Sequence, residues 1–558
     1  MITSKLGRKE KFIEKVTSSW SKYKFSIPNV QAGCIIEYEY KMITEYIFDF
    51  PNWFFQREIP TVWSEFNTKI PEFYKFLSVT RGYHEYSIKE EIPYNEQITL
   101  RPSSGPRTQA GERNMGRNLN RELKYELEGL KNKYIMADLP AIKNEPFMRA
   151  KVDYLAHLRF ELAAIDMPNS LLETVIPTWS ELVDYFDEYR NYGDRLKGSK
   201  TLKNVANSIT KDIKSNLDKM IAIYDHVQKT IEWDERHRLY TRKSLEEVYK
   251  EGNGHSSAIN FVLIQLLREA GFEAYPVLVS TTGNGEIIGL FPEATQFNST
   301  ITYVAIDGQY YLLDPKNRSR PYNILPFNVL GSNGLMVYTD QLVWLPVDQI
   351  VKNSSFKNIT VTIDQDSIRA NINTQLKGLY AVDMDELHKK EDFSDALTKK
   401  YFGTNPVYNI SDLTIHSNEV LEGYDIDFKI TRKGTSDNSI FYFNPMIMDR
   451  LGSNPFKLEN RTYPIDYDYP FDESIVMTIN IPEGWTIDEL PQPVLYRLPG
   501  RSGEFRRIIR ADGNQISMNY RLKIDKIRFM PEEYEVLKGM YDQMVSSLAE
   551  RIVLKKTP

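Results

Sequence analysis

The alternation of apolar and polar residues divides the chain into three stretches. From about residue 24 to 162, apolar residues recur at every second position in FSIPNVQAGCIIEYEYKMIT, WFFQREIPTVWSEFNTKIPEFYKF and VDYLAHLRFELAAID, between Pro and Gly breaks. A period of two is that of strands with one buried face, so this stretch is predicted to be β-rich. The polar run 101–121, rich in Gly, Arg and Asn, reads as an exposed loop within it. Near residue 178 the period changes. TWSELVDYFDEYRNY opens with Thr178 as a helix cap and Glu181 three residues on, above a stripe of Leu182, Tyr185 and Phe186. A second, long helical pattern runs from Asn204 to about Trp233. From about Phe356 alternation returns in ITVTIDQDSIRANINTQL, YDIDFKITRKG, IVMTINIPEGW and GEFRRIIRADGNQISMNYRLKI. A final helix is predicted from Pro531, a residue tolerated in a first turn, through SSLAERIVL.

The middle stretch has its own centre, Glu246 to Pro315. Gly252 and Gly254 punctuate a loop, after which Ser256 or Ser257 is expected to cap a helix. Ala258, Val262, Leu266 and Ala270, flanked by Ile259, Leu263 and Leu267, give that helix a wide apolar face. Gly271 stops it, and Ala274–Ser280 reads as a strand. QFNSTITYVAIDGQYYLLDPKN then predicts two strands joined by the turn Asp307-Gly308, closing at Asp314-Pro315.

Loop, buried helix, LREAGFEA, two strands and a closing LLDP together resemble the core of the transglutaminase-like superfamily. The resemblance implies a papain-like arrangement in which a Cys at a helix start works with a His and an Asp on neighbouring strands. Counted from LREAGFEA and YYLLDP, the Cys falls on Ser256, the His on Ser299 and the Asp on Asp314. IPNVQAGCIIEYEY, NWFFQREIP and SEFNTKIPEF are similar to the DUF3857-like β domain that precedes such cores in a family of bacterial envelope proteins. NPFKLENRTYPIDYDYP resembles its C-terminal DUF3858-like β domain. The implied fold class is a multidomain α+β protein: an N-terminal β-sandwich (1–175), a papain-like core (176–345) and a C-terminal β domain with a terminal helix (346–558). Members of that family usually begin with a signal peptide, whereas MITSKLGRKEKFIEKV is polar, so the expectation is a start trimmed from a periplasmic or envelope protein.

Composition narrows the chemistry. At 558 residues the chain is too long for one core, and 41% apolar with 26% charged residues fits a globular protein. The 35 Tyr and 27 Phe suit pleated surfaces. A net charge of −6 without a long basic run gives no support for nucleic-acid binding, and no apolar run is long enough for a transmembrane span. The single cysteine, Cys34, falls in a predicted strand and reads as packing. No thiol therefore stands at the nucleophile position.

The serines do not replace what is missing. Gly254-His255-Ser256-Ser257-Ala258 imitates a nucleophile elbow, but residues 244–253 read as helix and polar loop, not as the strand that motif needs. A serine hydroxyl needs a neighbouring base, and Ser299 cannot act as one. Asp314 is left with local backbone bonding. No catalytic residue is expected, with Ser256, Ser299 and Asp314 as degenerate triad positions and a binding groove near Gly254, His255 and Asn298. Asp466 and Asp468 read as a solvated strand face, and neither metal nor cofactor is expected, since no EF-hand or His/Cys cluster appears. Ser19-Trp20-Ser21-Lys22 matches Ser-x-x-Lys without its partner motifs. Trp53, Phe54, Phe55 and Trp63 read as sandwich core. The leading expectation is a catalytically inactive protein of the cell envelope that recognises a peptide or glycan. The alternatives are an active hydrolase or acyl transferase using Ser256 with a base from elsewhere, and a purely structural envelope component.

Overall fold

The computed structural model describes residues 7, 9–15, 21–27, 30–31, 33, 50–100, 123–167, 171–175, 177–348, 352–364, 367–390, 392–404, 406–433 and 439–557. Cys34, the loop expected at 101–121, and Ser19 with Trp20 lie outside the described residues. The chain separates into two units, Met1–Phe50 and Pro51–Pro558. In the first, Lys11–Lys15 (β1) and Ser21–Phe25 (β2) form an antiparallel hairpin with Lys11 opposite Phe25.

The second unit opens with strands in two sheets. Its strands are Trp53–Phe54 (β3), Thr61–Pro71 (β4), Tyr74–Arg81 (β5), Ile88–Leu100 (β6), Leu123–Leu139 (β7), His157–Ile165 (β8) and Glu173–Thr174 (β9). One sheet has the order β4-β7-β6 and the other β3-β8-β5, with β9 on β8. Phe66 and Tyr134 of the first sheet meet Phe160 of the second at ring separations of 6.1 and 6.3 Å, so inward-facing aromatics fill the space between them. Phe55 is fully buried, as expected of core, but Trp63 is exposed and its indole N–H donates to Glu65 on the same face.

The central part begins with Trp179–Glu188 (α1). Thr178 and Glu181 close a reciprocal capping box on it, as the sequence predicts. The single long helix expected from Asn204 is two, Lys200–Thr210 (α2) and Asn216–Thr230 (α3). Ser215 breaks the run because its side chain accepts a bond from the Asp218 amide and starts a new helix. Glu232–Trp233 (β10), Leu245–Glu251 (α4) and Asn253–Gly254 (β11) lead to Ser256–Glu269 (α5). Every residue of α5 from Ser256 to Leu267 is buried. Beside it lie Glu273–Val279 (β12), Ser299–Ile306 (β13), Gln309–Leu313 (β14), Ser332–Met336 (β15) and Val343–Val347 (β16), in the order β14-β13-β12-β15-β16. Both turn residues of the β13–β14 hairpin, Asp307 and Gly308, have positive φ, the conformation a tight hairpin turn requires.

The last part is built on an eight-stranded sheet. Its strands are Asn353–Ile363 (β17), Ser367–Lys377 (β18), Asn409–Ser417 (β19), Tyr424–Lys433 (β20), Phe471–Asn480 (β23), Val494–Arg497 (β25), Gly503–Asp512 (β26) and Gln515–Ile524 (β27), while Ile440–Phe443 (β21), Ile465–Asp466 (β22) and Trp485–Glu489 (β24) belong to smaller sheets. The order is β19-β20-β18-β17-β23-β27-β26-β25, and the β17–β23 pair is parallel. Arg528–Phe529 (β28) pairs with β22. Two helices inside this part, Leu379–His388 (α6) and Phe393–Phe402 (α7), are not anticipated by the alternation around them. The final helix, Tyr534–Ala549 (α8), stops earlier than expected. Ile552–Lys556 (β29) is a strand between β21 and β24, and three consecutive β-compatible apolar residues, Ile552, Val553 and Leu554, are buried there. No helix among the described residues is long and apolar enough to cross a membrane.

Helix α5 is the centre of the middle part's core, packed by α2, α3, α4 and the inner face of the sheet. Leu263→Ala, at a fully buried position of α5, is expected to cost about 2–5 kcal/mol of stability, read as a lower urea midpoint with unchanged slope.

Candidate functional site

The site is assembled at the start of α5. Helix α4 ends on Gly252 in the left-handed conformation, and β11 then pairs in parallel with β10, Gly254 opposite Trp233. A side chain at Gly254 would lie 3.2 Å from Val248 Cγ1 and 3.4 Å from Ile259 Cγ1, so close packing favours glycine there. His255 is extended and caps α5, its Nδ1 accepting the Ala258 N–H at 3.4 Å. The cap expected at Ser256 or Ser257 is therefore one residue earlier, and both serines sit inside the helix with 0% exposure.

Segment 234–238 folds over this helix start. The Asp234 N–H donates to the Gly254 carbonyl at 3.0 Å, and the Ser256 N–H to the Arg236 carbonyl at 3.0 Å. The Ser256 hydroxyl accepts the Arg238 N–H at 3.2 Å and has the Arg238 carbonyl at 3.5 Å. A serine Oγ engaged by backbone on both sides, with no imidazole in the bond, is held as a structural group.

Asp314 follows β14 and is 1% exposed. One carboxylate oxygen accepts the Asn260 amide at 3.2 Å, and the other lies 3.0 Å from Lys316 Nζ, with the two charged side chains 0% and 3% exposed. Asn260 sits one turn beyond Ser256. Its Nδ2 also reaches the Ser256 carbonyl at 3.1 Å, and its Oδ1 accepts the Thr302 hydroxyl at 3.0 Å. The structure thus links Ser256 and Asp314 through Asn260. Ser299 is not part of this string. On β13, Thr302 bonds Asn260 and Val304 packs in the α5 core, while Ile301 packs in the cluster on the sheet's other side. Alternation puts Ser299 with Ile301, away from α5, and not facing Ser256 as expected. Its buried hydroxyl has no hydrogen-bond partner among the described residues.

Two imidazoles border the site. His237 packs against the Trp233 ring at 5.3 Å, and Lys316 Nζ lies 5.1 Å above that same indole. Burial drives the His237 pKa down to about 4, helped by the Lys316 charge and opposed by Asp314. Burial likewise takes His255 to about 4, against the attraction of Asp234. The buried Nδ1 of His237 has no hydrogen-bond partner among the described residues.

Around the expected groove, Gly254 is buried and the Asn298 side chain is occupied. Its Oδ1 accepts the Thr281 N–H at 2.9 Å and its Nδ2 donates to Thr281 Oγ1 at 2.8 Å. Thr281 in turn lines a cavity of about 360 Å³ beyond the end of β12. Asp466, expected on a solvated face, is buried instead: it accepts Arg528 Nε at 2.6 Å and the Tyr154 hydroxyl at 2.7 Å. Among the described residues no three His, Cys, Asp or Glu side chains gather where they could hold a metal ion. Sequence reasoning missed Lys316, Asn260, Trp233 and His237. Two of them carried a signal: Asn260 interrupts the apolar face of α5, and Lys316 lies two residues beyond Asp314 in LLDPKN.

Residues 203–348 match the model of the transglutaminase-like superfamily, and residues 438–554 match that of DUF3858, a domain of unknown function with a solved structure. No curated protein sequence matches the chain. Among solved structures, a candidate protease from Parabacteroides distasonis is similar, with a TM-score of 0.49 and 14% identity over 90% of this chain and 74% of that one. A candidate cysteine protease from Cytophaga hutchinsonii gives a TM-score of 0.19 and 12% identity over 49% of this chain and 75% of that one.

The Asp314–Lys316 pair is the most sensitive point of the site. Lys316→Met leaves a buried carboxylate without its cation and is expected to destabilise by about 3–5 kcal/mol; adding Asp314→Asn should recover much of that loss in chemical denaturation. A second expectation concerns pH. His255 titrates near 4 in the fold and near 6.5 unfolded, so the unfolded chain binds more protons between those values. Its contribution is complete above about pH 6.5 and is lost as pH falls toward 4. His255→Asn keeps a capping side chain, and the fall in melting temperature between pH 6.5 and 4 should become shallower than in wild type.

Proposed function

We propose that this chain, with its transglutaminase-like core at residues 203–348 and DUF3858 domain at residues 438–554, is a non-catalytic member of that superfamily that binds a peptide or glycan in the bacterial cell envelope. The observation that carries the reading is the state of the three positions at which a thiol, an imidazole and a carboxylate would act. Ser256 is bonded to the Arg238 backbone, Ser299 has no link to it, and Asp314 is ion-paired with Lys316. A hydroxyl becomes nucleophilic only with a positioned base, and general-base assistance alone is worth about 10²–10⁴ in rate. Losing nucleophile and base together leaves only residual turnover, because such groups act as a unit. The envelope location rests on the resemblance of the β domain, core and β domain arrangement to envelope proteins, and cell fractionation tests it.

A second reading has one observation in its favour. His237 is uncharged near neutral pH, stands close enough to Asp314 and Lys316 to feel both charges, and has a free ring nitrogen, so it could serve as a base from outside the family positions. Purified wild type, Ser256→Ala and His237→Ala would be assayed for amine incorporation into peptides and for peptide hydrolysis. Equal, negligible rates in all three, with wild-type melting behaviour in Ser256→Ala, are expected. Wild-type turnover that disappears in both variants would replace the binding reading with the hydrolase.

A further inference from the structure

A second cavity, of about 520 Å³, lies in the last part of the chain, and none of its lining residues belongs to the transglutaminase-like stretch 203–348. Its walls are the start of β18, the end of α7 with the turn after it, the end of β20, and β21. Its floor is apolar and buried, with Tyr408, Met446 and Met448, and at its rim Val407, Ile440 and Tyr442 are exposed. The consecutive residues Ile440 to Phe443, the whole of β21, line it, whereas a strand that turned one face toward it would contribute alternate ones. Strand β21 therefore meets the cavity along an edge. Its opposite edge pairs with β29, and no strand among the described residues pairs with this one. An unpaired edge is a ready template for a further strand.

The charges around this groove are of one sign. Arg432, Lys433 and Arg450 line it at exposed positions, and no Asp or Glu does. No carboxylate among the described residues is ion-paired with any of the three, and Asp449, the neighbour of Arg450 in the chain, is committed to Lys357 at 2.6 Å. Arg432 bonds the Tyr408 side chain, which ties one of the cations to the floor. This local excess of positive charge stands in a chain whose net charge is −6, so it does not follow from a basic composition.

We infer that this groove binds an extended acidic peptide, which adds a strand to the free edge of β21, sets apolar side chains against Val407, Ile440 and Tyr442, and brings carboxylates to Arg432, Lys433 and Arg450. Main-chain bonds along an edge supply affinity, and the side chains beside it supply selection. The four residues of β21 offer about 13 Å of edge, enough for a short peptide segment. A neutral saccharide gains nothing from the three cations and cannot continue a sheet, and a basic peptide is repelled by them. The assignment rests on the reading that the chain is a binder, and narrows that reading's peptide-or-glycan choice to an acidic peptide.

The full chain would be titrated, by fluorescence anisotropy, with labelled hexapeptides in which Val, Phe or Tyr alternates with Glu, with Gln or with Lys. An oligogalacturonate serves as the anionic glycan arm. Saturable binding of at least one Glu peptide is expected, with Kd on the order of 100 µM or tighter and about tenfold tighter than its Gln counterpart. The Lys433→Glu/Arg450→Glu double variant, changed only at exposed positions, should weaken it about tenfold or more with an unchanged melting curve. Raising salt from about 0.05 to about 0.5 M should weaken it several-fold. Strand addition has its own readout. Of two Glu peptides N-methylated at alternate, complementary positions, one should keep its affinity and the other lose about tenfold, because only one set of amides faces β21. No saturation by any Glu peptide, equal affinity for the Gln or Lys series, no change in the double variant, equal affinity of the two methylated peptides, or binding of oligogalacturonate alone overturns the assignment. Ser256→Ala should bind as wild type does. Turnover at the core would therefore overturn the non-catalytic reading and leave this groove standing, while failure of the groove leaves the turnover comparison standing on its own.

Discussion

A string of buried polar groups, Thr302–Asn260–Asp314–Lys316, holds the start of α5 in place. Helix α5 is surrounded by apolar side chains, and in such a place an unpaired carboxylate would cost several kcal/mol. Each member satisfies the next. Thr302 donates to Asn260, Asn260 donates to both Asp314 and the Ser256 carbonyl, and Lys316 neutralises the remaining charge. Tyr224 extends the same logic to the backbone, its hydroxyl reaching the Asp314 carbonyl at 3.2 Å. The helix, the hairpin of β13 and β14 and the loop after it are therefore locked to one another by directional bonds, while the apolar contacts around them supply the bulk of the burial.

A comparable device joins the three sequence stretches into one compact unit. Arg81, Asp153, Glu286, Arg528 and Asp466 form a connected set in which the first two precede the central part, Glu286 lies within it and the last two follow it. Removing any one charge would strand another that is partly desolvated, so these contacts specify how the pieces meet more than they add to net stability. Asp153, Glu286 and Arg528 of this set also line the cavity beside Trp344. Within the set, Asp153 Oδ1 accepts both the Glu286 N–H at 2.8 Å and an Arg81 terminal nitrogen at 3.4 Å.

Periodicity in the sequence carries the elements well and the corrections locally. The capping box at Thr178, the buried face of α5 and the Asp307-Gly308 turn are all written in residue types whose local chemistry admits few alternatives. The failures are cases where a short-range preference is overruled. Ser215 starts a helix in the middle of a continuous helical pattern, and Ile552–Lys556 is drawn into a sheet by strands far away in sequence. At the site, spacing places Ser256 and Asp314 near a common point but cannot show which face of β13 Ser299 takes. That depends on the pairing of Val279 with Ser299, a tertiary fact. Lys316, His237 and Trp233 come together only through folding, since β10 reaches β11 across an intervening helix.

The way polar groups are buried at the start of α5 bears on function. At the helix start the charge of Asp314 meets a cation supplied two residues later, and Ser256 meets backbone. Sites that do chemistry keep groups poised against their preferred partners, and relaxing them commonly raises stability at the expense of activity. On the proposed reading, Ser256 and Asp314 held in this way suit a scaffold without that tension, while Ser257 Oγ, Ser299 Oγ and His237 Nδ1 around them keep no hydrogen-bond partner among the described residues.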